Sequence, residues 1–366
     1  METNFWDDLS QLSSPIIGLS PMDGVTDHPF RFITKKYGQP AAMYTEFTSV
    51  EGVCHGAKKL LQDFLYDETQ RPIVAQIYGT TPNFFRQTAT VLCQLGFDGI
   101  DINMGCPAKN VAHSGAGAAL IKTPKLAQEI IRETKAGITD WVNGKSARDC
   151  ENISPQVVEV VEKRHSQLPE KYQERRLLPV SVKTRIGYET PVIENWIPTL
   201  LEMEPVAIAI HGRTLKQQYG GNASWEQIGR AAELIHKTAT LLLGNGDIKS
   251  LADAQEKIAT CHTDGALLGR ITMGNPFVFQ PEIKPTSEQL FQVALEHAQL
   301  FEKTYGNEER YNFLPMRKHL GWYIHDIPNA AQIRQEIYRT NSSTEFAAVI
   351  EKHFPEWYTG QANPVN

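Results

Sequence analysis

The sequence predicts a parallel (β/α)8 TIM barrel followed by a small C-terminal all-helical domain. Eight short apolar segments recur along the first three-quarters of the 366-residue chain, amphipathic helical stretches separate them, and after Pro285 the strand pattern stops. Near-continuous apolar strands alternating with helices belong to a parallel sheet whose outer face is covered. Eight such units in about 270 residues match the size of a closed barrel. A doubly wound open sheet is the competing architecture. It ranks behind because polar residues end all eight segments, and closure brings those ends to one rim.

In order, the predicted strands are Pro15–Ser20, Ala41–Glu46, Pro72–Tyr78, Gly99–Asn103, Pro179–Thr184, Val206–His211, Thr240–Asn245 and Gly265–Leu268. Their ends carry Pro21-Met22, Glu46, Gln76, Asn103, Lys183 with Arg185, His211, Asn245 and Gly269-Arg270. Any one of these alone reads as a solvated strand end. Barrel chemistry sits at the carboxyl ends of the strands, so the set marks a candidate active face.

The fourth strand runs into Asn103-Met104-Gly105-Cys106-Pro107. Proline cannot continue a ladder and glycine permits unusual backbone angles, so the chain turns here and leaves Cys106 on a strand-end loop. The residues alone leave two readings of that thiol open, a small core side chain or a reactive group. Gly244-Asn245-Gly246-Asp247 and Leu268-Gly269-Arg270 follow the seventh and eighth strands, where barrels bind phosphate through backbone N–H groups. Arg270 adds a charge-assisted contact to such a site. Residues 137–178 exceed a normal connection and contain a helix at Pro155–His165. They read as an insertion on the amino-terminal rim, away from the active face.

The helical domain, residues 284–366, reads as Ser287–Tyr305, Glu308–His325, Ala330–Tyr338 and Ser343–His353, with Ser287 and Ser343 as N-caps. It carries eight Lys/Arg against ten Asp/Glu, so it has no global basic excess. The cluster Arg310, Arg317, Lys318 and His319 is either a phosphate contact or a solvated helix face.

Composition bounds the rest. Apolar content of 41% and charged content of 21% suit a soluble globular enzyme, and a net charge of −6 excludes a generally basic nucleic-acid binder without excluding a local basic surface. The five cysteines are scattered without a CxxC pair, which suggests neither a disulfide framework nor a metal site. No signal peptide is visible, and no apolar run approaches the roughly 20 residues that span a bilayer. The expected setting is the cytoplasm, with no membrane partner and no metal.

Taken together, the segments resemble the bacterial type of tRNA-dihydrouridine synthases. The match runs through Leu19-Ser20-Pro21-Met22-Asp23-Gly24-Val25-Thr26-Asp27-His28-Pro29-Phe30-Arg31, Tyr44-Thr45-Glu46, Ala75-Gln76-Ile77 and Asp101-Ile102-Asn103-Met104-Gly105-Cys106-Pro107. It continues in Val182-Lys183-Thr184-Arg185, His211-Gly212-Arg213-Thr214, Asn245-Gly246-Asp247 and Gly269-Arg270. Met316-Arg317-Lys318-His319 with Trp322-Tyr323 is similar to the family's helical domain. The resemblance implies an FMN enzyme that reduces uridine in tRNA with NADPH (or NADH). It implies that residues 1–283 form the catalytic domain and residues 284–366 the tRNA-binding one. Pro21, Met22 and Asp23 would line the flavin. Gln76, Lys183 and His211 would contact its ring or ribityl chain, and Asn245, Gly246, Asp247, Gly269 and Arg270 would hold its phosphate end. Asn103 and Arg185 would face the uracil, Arg317, Lys318 and His319 would face the RNA, and Cys106 would be the proton donor. A monomer suffices for all of this. Asp23 departs from the pattern, standing where many relatives carry alanine.

Two other functions share parts of these features. A barrel flavoenzyme acting on a free pyrimidine or enone would keep the phosphate turns and strand-end Lys and His but would not need the helical domain. A tRNA-binding protein with a vestigial flavin site would have no use for intact Cys106, Lys183 and His211.

Overall fold

In the computed structural model, residues 4–56, 58–218, 220–308 and 311–355 are described. Eight strands form a closed, all-parallel barrel: β1 (Ile16–Leu19), β2 (Met43–Ser49), β3 (Ile73–Tyr78), β4 (Gly99–Met104), β5 (Val180–Gly187), β6 (Ala207–Thr214), β7 (Leu241–Asn245) and β8 (Gly265–Leu268). Closure is made by β1 on β8, with Ile16 opposite Gly265 and Leu19 opposite Leu268. Gly265 is required there, since a Cβ would sit 2.0 Å from the Ile16 carbonyl oxygen.

Burial follows the pattern the sequence predicts. Ile16, Tyr44, Val74, Ala207, Ala209, Leu243 and Leu267 form one buried cluster with Trp6 of the helix Phe5–Ser10. A Cβ on Gly99, the first residue of β4, would meet the Phe5 ring at 3.3 Å, which puts this helix at the amino-terminal end of the barrel. An apolar plug at one end leaves the polar residues to gather at the other.

The chain divides into two compact units. One holds residues 1–23 and 40–269; the other holds residues 24–39 and 270–366. By compactness the division falls at Gly269/Arg270, and the helix His28–Gly38 that follows β1 groups with the C-terminal helices. Packing explains the membership. Tyr37 and Lys36 both donate to Glu296 at 2.6 Å, and the Tyr37 ring lies 5.2 Å from that of Phe277.

The long connection between β4 and β5 differs in its start. The helix Pro124–Val142 runs through residues 137–142, because Ile138 and Trp141 still fall on its buried face. The added segment starts after it and contains the predicted helix Pro155–His165. It is held at the ends that precede β3 and β4. Arg176 donates to Phe97 O (3.1 Å) and Asp98 Oδ1 (3.2 Å), and the Arg71 guanidinium stacks 3.3 Å over the Tyr172 ring. These contacts fix it to the amino-terminal rim.

In the second unit the helices Ser287–Tyr305, Leu314–Tyr323, Ala330–Ile337 and Ser343–His353 share one apolar core with Ile33 of the helix His28–Gly38. The Leu314–Tyr323 helix starts later than the expected Glu308. Pro315 occupies its first turn, where no backbone donor is needed. The caps of the first and last helices are Thr286 and Ser342, one residue before the expected Ser287 and Ser343. Thr286 and Gln289 exchange side-chain and backbone hydrogen bonds in a capping box.

Candidate active site

Strand register brings the polar strand ends of the first unit to one level. Gln76 pairs with Asp101, Asn103 with Lys183, Arg185 with His211, and His211 with Asn245. Asn103 shapes the turn that follows. Its Oδ1 accepts from the backbone N–H of Cys106 at 2.8 Å and of Gly105 at 3.1 Å, and its Nδ2 donates to Gln76 Oε1 at 2.9 Å. Gly105 has little alternative, because a Cβ would come 3.2 Å from the Thr184 carbonyl carbon.

Cys106 is therefore fixed at the carboxyl end of β4. It packs with Val111 and Ala116, with Phe47 and Tyr78 beside them, and only 8% of it is exposed. Burial pushes its thiol pKa up from the usual value, the Ala108 N–H opposes this, and the Asp23 carboxylate adds to it. Such a thiol stays protonated at neutral pH, which suits an acid and not a nucleophile.

Lys183 donates to Asn245 Oδ1 at 3.1 Å, and Asn245 Nδ2 donates to Leu267 O at 2.8 Å. Burial, then the neighbouring Arg185 charge, lowers the Lys183 pKa to about 8. Arg185 donates through Nε to Gly105 O (2.6 Å) and through Nη1 to Thr214 O (3.2 Å), so it braces the Cys106 turn as well as charging the rim. Gly246 has φ +116, and a Cβ there would lie 2.8 Å from Ala223 Cβ and 3.3 Å from the His211 ring. Backbone alone can approach this closely.

Asp247 is committed within the protein. Its Oδ2 accepts from Arg213 Nη2 (2.6 Å) and Ala223 N (2.8 Å), tying the loop after β6 to the turn after β7. Pro21 and Met22 are half-buried and Asp23 is exposed on the loop after β1. A Cβ on Gly269 would stand 3.7 Å from Met22 Sδ, so the loops after β1 and β8 adjoin.

The remaining predicted residues lie in the second unit. Arg270 is exposed and opens the turn Arg270–Thr272. Arg317 donates to Thr340 O (2.7 Å) and Asn341 Oδ1 (2.6 Å), and Lys318 donates to Gly24 O. His319 departs from expectation. It is 2% exposed, with its ring 5.2 Å from His297, 5.6 Å from Phe30 and 4.8 Å from Trp322. Met316, His319, Leu320 and Tyr323 fall at the spacing of one helix face, and that face is the core. Burial first, and then the neighbouring His297 ring and the Lys318 charge, hold its pKa well below the usual value, so it is neutral and not a phosphate ligand. Arg310 lies outside the described residues.

Asp101, Ser181 and Arg213 carry no assigned role in the sequence reading. Asp101 accepts from Gln76 Nε2 at 2.7 Å and from Ser181 Oγ at 2.6 Å, fully buried inside the barrel. The period-two alternation held the signal. Asp101 and Asn103 on β4, and Ser181 and Lys183 on β5, stand two apart and face inward together.

The family model for dihydrouridine synthase (Dus) matches residues 18–147 and 153–358. A probable tRNA-dihydrouridine synthase of Staphylococcus aureus (strain COL) is 34% identical over 358 residues, covering 96% of each chain. The chain belongs to the dihydrouridine synthase family. A probable tRNA-dihydrouridine synthase 2 of Bacillus subtilis (strain 168) is 32% identical, covering 96% of this chain and 97% of that protein. Among solved structures, DHODH of Eimeria tenella in complex with ferulenol is 11% identical, with a TM-score of 0.48 over 81% of this chain and 86% of that one. The barrel of this dihydrouridine synthase family member rests on its own strand pairing.

Proposed function

We propose that this enzyme reduces specific uridines of tRNA to 5,6-dihydrouridine, with FMN as its cofactor and NADPH (or NADH) as electron donor. The observation that carries the reading is Cys106, a thiol kept protonated at the end of β4 on a turn pinned by Asn103. The donor set at the rim fits a flavin mononucleotide. At Gly246 a side chain would strike Ala223 and crowd the His211 ring, so bare backbone stands there, and Lys183 offers an ammonium beside the Asn245 amide. Pro21, Met22, Asp23, Gln76, Lys183 and His211 would hold the ring and ribityl chain, and Asn245, Gly246, the backbone of Asp247, Gly269 and Arg270 the phosphate. The bound flavin, once reduced, supplies the hydride for carbon 6 of the uracil.

The chain's own groups do the rest. Cys106 gives the proton from Sγ to carbon 5, and Asn103 and Arg185 orient the uracil. Lys183 holds positive charge beside the cofactor, since such neighbours set its electronics. A stacked uridine cannot reach a barrel rim, so the base is extruded into the site. The helical unit meets the folded RNA by shape and phosphate, with Arg317 and Lys318 as its local cations. Among the described residues no helix is long and apolar enough to cross a membrane, and free cysteines suit a reducing cytoplasm.

Cys106→Ala tests the reading. It should retain flavin that NADPH still reduces, while dihydrouridine formation on unmodified tRNA falls by about 10²–10⁴, the scale of a lost general acid. An unchanged rate would remove Cys106 from the reaction. Turnover of free uridine as fast as tRNA would replace the substrate assignment with a free pyrimidine.

A further inference from the structure

Beneath the Cys106 turn, four buried side chains form a line of hydrogen bonds with a fixed direction. Ser181 Oγ donates to Asp101 Oδ1, Gln76 Nε2 donates to Asp101 Oδ2, and Asn103 Nδ2 donates to Gln76 Oε1. Asn103 Oδ1 then accepts from the Gly105 and Cys106 N–H groups. A carboxamide has one donor end and one acceptor end, whereas an ionised carboxylate only accepts. Asp101 therefore fixes Gln76 with its NH₂ inward and its carbonyl outward. That carbonyl fixes Asn103 with its NH₂ on Gln76 and its carbonyl on the turn. Reversing either amide sets donor against donor or acceptor against acceptor, in a place where Gln76 and Asp101 are 0% exposed and water is not at hand to repair the mismatch.

We propose that Asp101 is a positioning residue for the reaction, acting through Gln76 and Asn103 to hold the Cys106 turn in the conformation from which the thiol delivers its proton. The proposal rests on the reading of Cys106 as that proton donor. Asp101 itself touches no reacting atom. Its placement is costly to the fold, because burial raises its pKa to about 6 against the bonds from Ser181 and Gln76 and the charge of Lys183. The groups that face it are Tyr44 from β2, Gln76 from β3, and Ser181 and Lys183 from β5. A carboxylate buried at such a cost is accounted for by the line of side chains it orders.

The test compares holoenzyme carrying Asp101→Leu, Asp101→Asn or Cys106→Ala with the native protein. In Asp101→Leu, kcat with tRNA should fall on the order of 10²-fold, the scale of a mispositioned reacting group. NADPH-driven flavin reduction in the same variant should fall by less than kcat, which separates the Cys106 turn from an effect of Gln76 on the flavin. Asp101→Asn can still turn its Oδ1 to Gln76 and its NH₂ to Ser181, so it should recover most of that loss. A recovery in Asp101→Asn is what the acceptor on Gln76, rather than the charge, is expected to give. Native kcat in flavin-loaded Asp101→Leu would overturn the proposal. If that variant does not fold, flavin-loaded Asp101→Ala, which also leaves Gln76 without its acceptor, decides, and native kcat there would overturn the proposal. Full activity in Cys106→Ala would instead sink the underlying assignment of the proton donor, whatever the Asp101 variants do.

Discussion

Lys183 reaches Asn245 across the rim with an ammonium whose pKa burial has lowered to about 8. Its charge is nearly full at pH 7 and drains away as pH rises through that value. FMN affinity of the apoprotein, followed by fluorescence titration, should weaken between pH 7 and 9, and Lys183→Met should bind more weakly with a flatter profile. An equal slope in both proteins would show that another group carries the dependence. Lys183 is legible in the sequence because a cation at the end of an apolar strand is costly to place there without an anionic or polar partner. Asp101 is not, since its meaning depends on a partner on the adjacent strand, Gln76, that only the register reveals. His319 reads outward in the sequence because its basic neighbours outweigh the helix spacing that turns it inward.

At the level of elements, the helices Ser287–Tyr305 and Leu314–Tyr323 pack two neutral histidines face to edge in one core. Burial lowers the His297 pKa to about 3 from 6.5. The folded value lies below the unfolded one, so the stability linked to this ring is complete above pH 6.5 and is lost as pH falls toward 3. Between pH 7 and 4 that loss is about 3 kcal/mol. Acidification over this range should open the helical unit before the barrel, seen as hydrogen exchange of residues 287–323 ahead of the strands, and His297→Phe should delay it. Simultaneous exchange in both units would rule the histidine out as the trigger. Strand existence and order are readable from period and length, because both faces of each strand are buried. Ends are less so, since the start at Leu314 and the run of Pro124–Val142 to residue 142 depend on a proline and on two buried side chains.

For the whole molecule, the predicted domain boundary follows the last strand, yet the structural one also depends on where a single earlier helix packs. Its own segment, His28-Pro29-Phe30-Arg31, gives no sign of its allegiance, because an amphipathic helix after a first barrel strand ordinarily covers the barrel. Ending the chain at residue 283 should leave Phe30, Ile33 and Tyr37 without the core they share with Phe291 and His297. Such a product should be recovered mainly in the insoluble fraction; a soluble, flavin-loaded truncation would contradict this. The chain crosses between the units three times, at residues 23/24, 39/40 and 269/270. Exchanging the second unit with that of a relative thus takes two pieces of gene rather than one. The first of them, residues 24–39, begins directly after the Pro21–Asp23 loop proposed to line the flavin, so a chimera's first junction falls beside the chemistry it is meant to leave untouched.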